Sequence, residues 1–378
     1  MTKRIRVAVV FGGRSTEHEV SLVSARSVMA AMDPQRFEIV PIGVTKEGRW
    51  LVSGDPMREL TEGGRGAGPA GGGARPMLPG VAEPSSRSLE AVRGRTEAGK
   101  GIDPPDVVFP LVHGIYGEDG TLQGLLDMAG LPYVGAGVIG SAVGMDKDVS
   151  RRLLGHAGLP VVRTHVIPVA TWTKEGKGAR IESALSEIGL PCFVKPACSG
   201  SSVGVTKVRD ARDLEAAVDD AFQYDTKALV ERAVDAREIE VAVLGNDAPE
   251  ASIPGEIVPC REFYDYAAKY VEDSRLLIPA PLEGDQTAEV RRLALEAFRL
   301  LEMAGLARVD FFLDRQDGRF YINEVNTLPG FTPISMYPRL WEASGVPYRE
   351  LITRLITLAL ERHDRRKLLK TSYEPARP

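Results

Sequence analysis

Residues 308–326 read RVDFFLDRQDGRFYINEVN, a stretch in which large apolar and polar residues alternate on both sides of a turn. This period of two predicts strands over 308–313 and 320–326. The turn at 314–318 ends in Gly318, which suits the left-handed position of a three-residue hairpin loop. The sequence therefore predicts a hairpin whose two strands each carry polar side chains on one face.

The loop length determines which carboxylates face each other. If Arg315 pairs with Arg319, Asp310 lies opposite Glu324, and two facing carboxylates repel unless a cation lies between them. Oxygen ligands of this kind suit Mg²⁺ bound to phosphate oxygens. The alternative is a solvated sheet face on which Arg308 neutralises Asp310, but the surrounding apolar residues favour a metal site. The predicted magnesium ligands at a nucleoside triphosphate are Asp310, Glu324 and Asn326.

The amino-terminal part predicts an open parallel α/β domain. Strands expected over 6–11 and 37–44 flank a helix, which is a βαβ opening. Thr16 and Glu19 have the spacing of a capping box at the start of that helix. Glu17, in the same turn, either complements the helix dipole or faces a ligand's cation.

Three glycine segments are candidate nucleotide loops. Gly12-Gly13 lies where a predicted strand leads into a helix, and such a junction can hold an anion on free backbone N–H groups. Residues 135–140 (GAGVIG) match the sequence pattern of a dinucleotide-binding loop. The next predicted strand, 161–166, lacks the acidic residue that such a site needs, so we interpret the match as a coincidence at a turn that leads into a helix. One helix is expected over 141–156. Residues 195–204 (KPACSGSSVG) read either as a hairpin tip that wraps phosphates or as a surface lysine beside a flexible turn.

Composition limits the class of protein. The chain has 378 residues, of which 43% are hydrophobic and 26% charged, with a net charge of −5. Such a mildly acidic chain argues against nucleic acid as a partner. Three cysteines without a CxxC spacing indicate a reducing compartment, and we expect neither a targeting segment nor a membrane partner. A Gly-, Pro- and Ala-rich stretch at 63–80 predicts a mobile insertion.

Seven motifs carry a family resemblance. They are FGGRSTEHEVS (11–21), HGIYGEDG (113–120), MDK (145–147), VKPACSGSSVG (194–204), FYDYAAKY (263–270), RVDFF (308–312) and NEVNTLPG (323–330). Together, and in this order, they resemble the D-alanine–D-alanine ligases of the ATP-grasp superfamily.

The resemblance implies an amino-terminal substrate domain over 1–145, with an insertion at about 60–100, followed by a two-part ATP-grasp α+β region over 146–234 and 235–378. It implies a cytoplasmic homodimer that uses ATP and two Mg²⁺ or Mn²⁺ ions. One D-alanine is phosphorylated on its carboxylate, and the amine of a second D-alanine then displaces phosphate.

The resemblance also implies site roles. Glu17 would hold the ammonium of the first D-alanine, and His113 would lie near the acyl phosphate. The residues implied at the ATP phosphates are Lys147, Lys195, Ser201, Ser202 and Val203. Those implied around the rest of the nucleotide are Glu231, Val234, Glu238, Asn323, Phe193 and Phe312.

Lys269 and Tyr270 would belong to a lid, with Tyr270 reaching Ser201 and Glu17. Arg308 and the Gly330 backbone N–H would stabilise the tetrahedral oxyanion. Ser335 and Met336 would receive the carboxylate of the second D-alanine.

The acceptor remains open between D-alanine and another amino or hydroxy acid. Ester-forming relatives tend to replace the lid tyrosine, so Tyr270 favours a dipeptide product, whereas Ala267 departs from the glutamate often present in the lid. From other classes, a nucleotide-binding regulatory protein without turnover and a dinucleotide-dependent oxidoreductase remain alternatives. The regulatory protein would have lost a metal carboxylate or a loop lysine, and Asp310, Glu324, Lys147 and Lys195 are all present.

Overall fold

The fold is known from a computed structural model that describes residues 3–62, 104–201, 203–258, 275–332, 334–370 and 372. The predicted insertion at about 60–100 lies almost wholly outside these ranges, and the predicted lid at 263–270 lies wholly outside them.

The first sheet is built around β1, a strand of consecutive buried apolar residues. Its strand order is β3-β2-β1-β4, and β1 pairs in parallel with both of its neighbours. An apolar run of this kind suits a strand covered on both faces. The strands are β1 (Ile5–Gly12), β2 (Phe37–Val44), β3 (Trp50–Leu51) and β4 (Val107–Pro110), and the helices are α1 (His18–Ala31), α2 (Pro56–Glu62) and α3 (Thr121–Ala129). The predicted open parallel α/β domain is confirmed.

The capping box predicted for α1 is wrong. The helix begins at His18, and Glu17 occupies the N-cap position without a side-chain capping bond. Glu19 instead forms an exposed ion pair with Lys46 at 2.9 Å. Glu17 is therefore available for contacts outside its own helix.

The helix predicted over 141–156 is two helices, α4 (Val138–Met145) and α5 (Lys147–His156). Asp146 interrupts them with an extended backbone, and its side chain accepts hydrogen bonds from the N–H groups of Asp148 and Val149. Aspartate is a favoured N-cap residue, so Asp146 marks the start of a new helix. The apolar periodicity alone did not indicate this boundary. The fingerprint-like glycines serve packing, because a Cβ on Gly140 would lie 2.5 Å from the Glu302 carbonyl oxygen.

The second sheet is antiparallel, with the order β5-β8-β6-β7. Its strands are β5 (Thr164–Pro168), β6 (Cys192–Pro196), β7 (Thr206–Val208) and β8 (Lys227–Arg232), with helices α6 (Lys177–Ile188) and α7 (Leu214–Ala221). The loop between β6 and β7 is the glycine- and serine-rich hairpin tip anticipated from the sequence.

The third sheet has six antiparallel strands in the order β12-β11-β9-β13-β14, with β10 beside β9. Its elements are β9 (Ala236–Gly245), β10 (Glu250–Ala251), β11 (Gly255–Val258), β12 (Arg275–Leu277), α8 (Gly284–Leu300), β13 (Gly305–Asp314), β14 (Phe320–Asn326), α9 (Met336–Ala343) and α10 (Tyr348–Lys367). Helix α8 buries Val290, Leu293 and Phe298 against this sheet. Each such side chain contributes about 1.5–3 kcal/mol.

The carboxyl-terminal helices complete the amino-terminal core. Leu351 and Leu355 of α10 belong to one buried cluster with Val7 and Val9 of β1. This packing brings the loop after β14 against α1. Each sheet lies within one of the three predicted regions, while the region boundaries themselves stay predictions. In the part of the chain that the structure describes, no helix is long and apolar enough to cross a bilayer.

Candidate active site

The β13–β14 hairpin brings the two predicted metal carboxylates face to face. Asp310 lies opposite Glu324, as predicted. The predicted pairing of Arg315 with Arg319 is wrong, because the Asp314 N–H donates to the Arg319 carbonyl at 2.9 Å and the loop has four residues. A β-bulge next to the Asp310 pair compensates for the longer loop.

Asp310 is held by two neighbours on the same sheet face. Arg308 donates to its two oxygens at 2.7 Å each, and Asn326 Nδ2 donates at 2.8 Å. Arg308 Nε also lies 2.9 Å from a carboxylate oxygen of Glu240. Burial opposes the charged form of Arg308, but Asp310 and Glu240 raise its pKa well above the ordinary value. Arg308 does neutralise Asp310, although on a largely buried face rather than a solvated one.

The helix break at Asp146 places Lys147 at the start of α5 with its side chain in the site. Lys147 Nζ lies 3.0 Å from a Glu324 oxygen and donates to the Ser199 carbonyl at 2.8 Å. Burial opposes the charge on Lys147, but the Glu324 carboxylate outweighs it, and the pKa lies above its ordinary value. Lys147 thereby joins the metal strand to the loop after β6.

A second buried ion cluster lies beside the first. Lys195 Nζ is 2.9 Å from Glu231, whose other oxygen accepts from Arg151. Arg151 also donates at 2.8 Å to the backbone carbonyl of Asn323, the residue at the bulge of β14. Burial lowers the pKa of Lys195 to about 8; Glu231 opposes this shift, and Arg151 adds to it. The second and third sheets are therefore tied together through charged groups.

The side chains predicted to bind a metal ion lie close together, but two cationic side chains contact them. Within the described ranges, no three His, Cys, Asp or Glu side chains are grouped closely enough to hold a metal ion. The predicted set offers two carboxylates and one amide, and in this structure Lys147 and Arg308 contact the carboxylates. The donor chemistry of Asp310, Glu324 and Asn326 suits Mg²⁺ in company with phosphate oxygens, so the metal site stays a prediction.

Glu17 faces the glycine- and serine-rich loop. Its carboxylate accepts a hydrogen bond from Ser201, which has a left-handed backbone with φ of 48°. A Cβ on Gly114 or on Gly200 would lie 2.9 or 3.0 Å from Glu17 Oε2. Both glycines therefore allow the backbone to approach this carboxylate closely.

A cleft of about 400 Å³ opens between these elements. Its lining includes Glu17, Ser199, Gly200 and Val203 from the predicted loop and helix start, together with Arg14, Lys46, Ile115, Met145, Cys198 and Tyr224. The cleft therefore lies between the amino-terminal domain and the hairpin tip of the second sheet.

His113 is buried, and each of its ring nitrogens lies within hydrogen-bond distance of a neighbour. Its Nδ1 lies 3.1 Å from the Leu328 carbonyl oxygen and its Nε2 lies 3.1 Å from Ser24 Oγ. Burial lowers the pKa of His113, although Glu17 and the Leu328 carbonyl act in the opposite direction. His113 is thus a neutral ring between α1 and the loop after β14.

That loop brings together the other predicted substrate residues. A Cβ on Gly330 would lie 2.9 Å from Ser335 Oγ, and this hydroxyl accepts from the Thr332 N–H at 3.0 Å. Ser335 is the N-cap residue of α9. Met336 follows it with a buried side chain, so only its backbone is suited to a ligand.

The remaining predicted nucleotide residues lie on neighbouring strands. Phe193 pairs with Glu231 in the second sheet, and Phe312 pairs with Glu238 in the third. Val234 lies in the connection between β8 and β9. Three predicted residues, Ser202, Lys269 and Tyr270, lie outside the described residues.

Sequence reasoning missed four polar residues of the site, of which three are buried and Glu118 is half-buried. Arg151, Ser24 and Glu240 lie on regular elements, where only their polarity among apolar neighbours marks them. Glu118 lies within the HGIYGEDG motif and accepts from the Gly114 N–H at 2.6 Å. Burial, reinforced by nearby Glu17, raises the pKa of Glu118 well above the ordinary carboxyl value.

Comparisons with known proteins agree with this geometry. The D-ala D-ala ligase N-terminus family matches residues 6–136, and the D-ala D-ala ligase C-terminus family matches residues 153–357. A D-alanine–D-alanine ligase of Geobacillus thermodenitrificans is 48% identical, with 98% of this chain and 100% of the relative covered. A D-alanine–D-alanine ligase A of Chromobacterium violaceum is 51% identical, with 95% and 96% covered.

Solved structures give the same result. The D-alanine–D-alanine ligase from Coxiella burnetii has a TM-score of 0.77 at 34% identity and covers 97% of this chain and 98% of its own. The VanG D-Ala:D-Ser ligase from Enterococcus faecalis has a TM-score of 0.78 at 34% identity and covers 94% and 100%.

Fold and site define an ATP-grasp carboxylate–amine ligase, as predicted from the sequence. The chain belongs to the D-alanine–D-alanine ligase family.

Proposed function

We propose that this protein joins two D-alanine molecules into D-alanyl-D-alanine for peptidoglycan precursor synthesis, with ATP converted to ADP and phosphate. The observation that carries the proposal is the position of the carboxylate pair Asp310 and Glu324 next to Lys147. This arrangement provides ligands for a nucleotide-bound cation beside a point charge for its phosphates. Family membership supports the same reaction.

In the first step, the carboxylate of one D-alanine attacks the γ-phosphate of ATP. Lys147 and Lys195, with the loop residues Ser201, Ser202 and Val203, bind the phosphates and orient the γ-phosphate. Two Mg²⁺ or Mn²⁺ ions held by Asp310, Glu324 and Asn326 would neutralise phosphate charge. Glu231, Val234, Glu238, Asn323, Phe193 and Phe312 surround the rest of the nucleotide.

In the second step, the amine of the other D-alanine attacks the carbonyl carbon of the D-alanyl phosphate, which the first step forms with release of ADP. The C–N bond forms, the C–O bond to phosphate breaks, and the amine loses a proton as inorganic phosphate leaves. Glu17 holds the ammonium of the first D-alanine, and His113 lies near the acyl phosphate. Arg308 and the Gly330 N–H stabilise the oxyanion. Ser335 and Met336 bind the carboxylate of the second D-alanine, and the family resemblance assigns Lys269 and Tyr270 to a lid.

The test is phosphate release in the presence of ATP, Mg²⁺ and D-alanine, with the product identified by mass. We expect phosphate and dipeptide in equal amounts. ATP binding without phosphate release at any D-alanine concentration would instead indicate the regulatory protein.

The acceptor needs its own experiment, because one structural relative carries a D-Ala:D-Ser name. D-alanine alone is compared with D-alanine plus D-serine or D-lactate across pH. We expect the D-alanine dipeptide to dominate, and a predominant ester or mixed product would reject D-alanine as the preferred acceptor. The Tyr270→Phe variant should shift preference toward hydroxy acids if Tyr270 has the proposed lid role.

We also propose that the protein works in the cytoplasm as a homodimer. Two described cysteines, Cys192 and Cys198, are free thiols, which suits a reducing compartment. Burial raises their pKa values to about 11 and about 12, so they resist oxidation. Light scattering on the eluting protein tests the dimer, and a monomer mass at micromolar concentration would contradict it.

A further inference from the structure

Ser24 lies on the buried face of α1, and its side chain is fully excluded from solvent. Its hydroxyl oxygen lies 3.1 Å from His113 Nε2 and 3.3 Å from the backbone nitrogen of Phe331. The Ser24 hydroxyl thus contacts His113, which has a proposed substrate role, and the loop that contains Gly330, which has another.

The second ring nitrogen of His113 determines the direction of these hydrogen bonds. His113 Nδ1 lies 3.1 Å from the Leu328 carbonyl, which can only accept, so Nδ1 carries a proton. The buried ring is neutral, and Nε2 is therefore an acceptor. The Ser24 hydroxyl must then donate to Nε2 while its oxygen accepts from the Phe331 N–H.

Phe331 is held at its N–H by α1 and at its carbonyl by α10. Its carbonyl accepts from the Tyr348 hydroxyl at 2.7 Å, and that hydroxyl lies 3.1 Å from Ser27 Oγ. Ser24 and Ser27 are three residues apart and lie on the same helix face. The residue next to Gly330 is therefore fixed relative to α1 directly by Ser24 and indirectly, through the Tyr348 hydroxyl, by Ser27.

We propose that Ser24 is a positioning residue for the ligation reaction, because its hydroxyl donates to His113 Nε2 and so orients the ring, and because it fixes the backbone next to Gly330. This inference rests on the proposed function, which gives His113 and Gly330 their roles at the acyl phosphate. It has a chemical consequence: the Nε2 lone pair is used by Ser24, so His113 exchanges no proton with the reactants while that bond is intact.

The test combines a spectroscopic and a kinetic measurement. Ring nitrogen–proton correlation spectra are recorded for the wild-type protein and Ser24→Ala, with the His113 signal assigned by its loss in His113→Gln. We expect the wild type to show a proton on Nδ1 alone, and Ser24→Ala to keep that tautomer while the Nε2 signal shifts, because the Nε2 lone pair loses its hydrogen-bond donor. Turnover should fall about 10- to 100-fold while KM for ATP is unchanged, because only the geometry at the reacting centre is disturbed.

Ser252→Ala is the matched control. Ser252 is also buried, and it lies between β10 and β11. Its hydroxyl accepts from the Ala242 N–H and donates to the Ile253 carbonyl, and neither partner is a proposed site residue. It should lose comparable stability and keep wild-type turnover. Ser24→Thr retains the hydroxyl and should recover the wild-type Nε2 signal and part of the turnover.

Several outcomes would overturn the proposal. A wild-type proton on Nε2 refutes the tautomer assignment without reference to activity. Wild-type turnover in Ser24→Ala refutes the positioning role. If Ser24→Ala does not fold, Ser24→Thr and the wild-type spectrum decide. An Nδ1–H tautomer in a protein that forms no dipeptide would reject the proposed function and, with it, the role in ligation.

Discussion

The two walls of the site are held together by different chemistry. The charged wall consists of Lys147, Arg151, Lys195, Glu231 and Glu324, and its contacts are ion pairs between secondary-structure elements. The hydrogen-bonded wall consists of Glu17, Ser24, His113 and Ser201, and its contacts are made through hydroxyls and a neutral imidazole. Removing a side chain from the charged wall leaves its partner as an uncompensated buried charge. Removing one from the hydrogen-bonded wall mainly allows the remaining groups to move out of position.

The largest effect is expected from Glu324→Gln, which removes one charge from the charged wall. The amide keeps the size of the side chain but binds a cation poorly and no longer pairs with Lys147. We expect ADP formation with D-alanine to fall by about 10²–10³-fold or more, because the developing phosphate charge loses its compensation. The fold should stay intact, but the melting temperature should fall, because Lys147 is left buried without its charged partner.

Glu289→Gln provides the control, because Glu289 is an exposed carboxylate on α8 paired with Arg292. It should retain wild-type turnover. The metal assignment is lost if Glu324→Gln turns over normally, or if its need for Mg²⁺ equals that of the wild type.

A smaller effect, on stability rather than on chemistry, separates the buried pairs from surface ones. Arg151→Met leaves Glu231 buried with only Lys195 as a partner, and we expect the free energy of unfolding to fall by about 3–5 kcal/mol. The adjacent Arg152 forms an ion pair with Asp148, but its own side chain is 69% exposed. Arg152→Met should therefore cost less than about 1 kcal/mol. If urea denaturation gives equal losses of unfolding free energy for Arg151→Met and Arg152→Met, the ion pairs of the charged wall contribute no more than an exposed pair.

The two walls also differ in how far the sequence predicts them. The facing of Asp310 and Glu324 followed from strand alternation, although the loop length was wrong and a bulge at Asn323 compensated for the error. Alternation fixes which face a residue occupies, but a bulge depends on the whole sheet. The parallel first sheet was likewise predictable from its apolar runs.

Contacts between distant elements were not predictable from patterns. Arg151 lies on a helix that the periodicity merged with its neighbour, and its partners are 80 and 172 residues away in the sequence. Ser24 occupies a helix face where a small polar residue carries no signal by itself. Only the packing of α10 against β1 brings the loop after β14 to Ser24. Motif order supplied the family; tertiary contacts supplied these roles.

The smallest expected effect is a pH dependence of ATP binding that arises from Lys195. It has the opposite sign to the effect of the same residue on folding stability. The pKa of Lys195 is lowered to about 8, primarily by burial. Protonated Lys195 attracts phosphate, so the Kd for ATP should rise as pH increases from 7 to 9, by up to about tenfold for a single group. Lys195→Arg should remove this dependence, because arginine stays charged over that range.

Stability should respond to the same titration with the opposite sign. Because the pKa of Lys195 in the folded protein lies below that in the unfolded chain, its charge is unfavourable to folding, fully so below pH 8. This penalty is relieved as pH rises through 8 toward the unfolded value. Without ATP, the wild type should therefore gain stability relative to Lys195→Met between pH 8 and 10, even as its ATP affinity declines. If stability and affinity fall together, Lys195 is not held by the buried charged wall in the way that the structure shows.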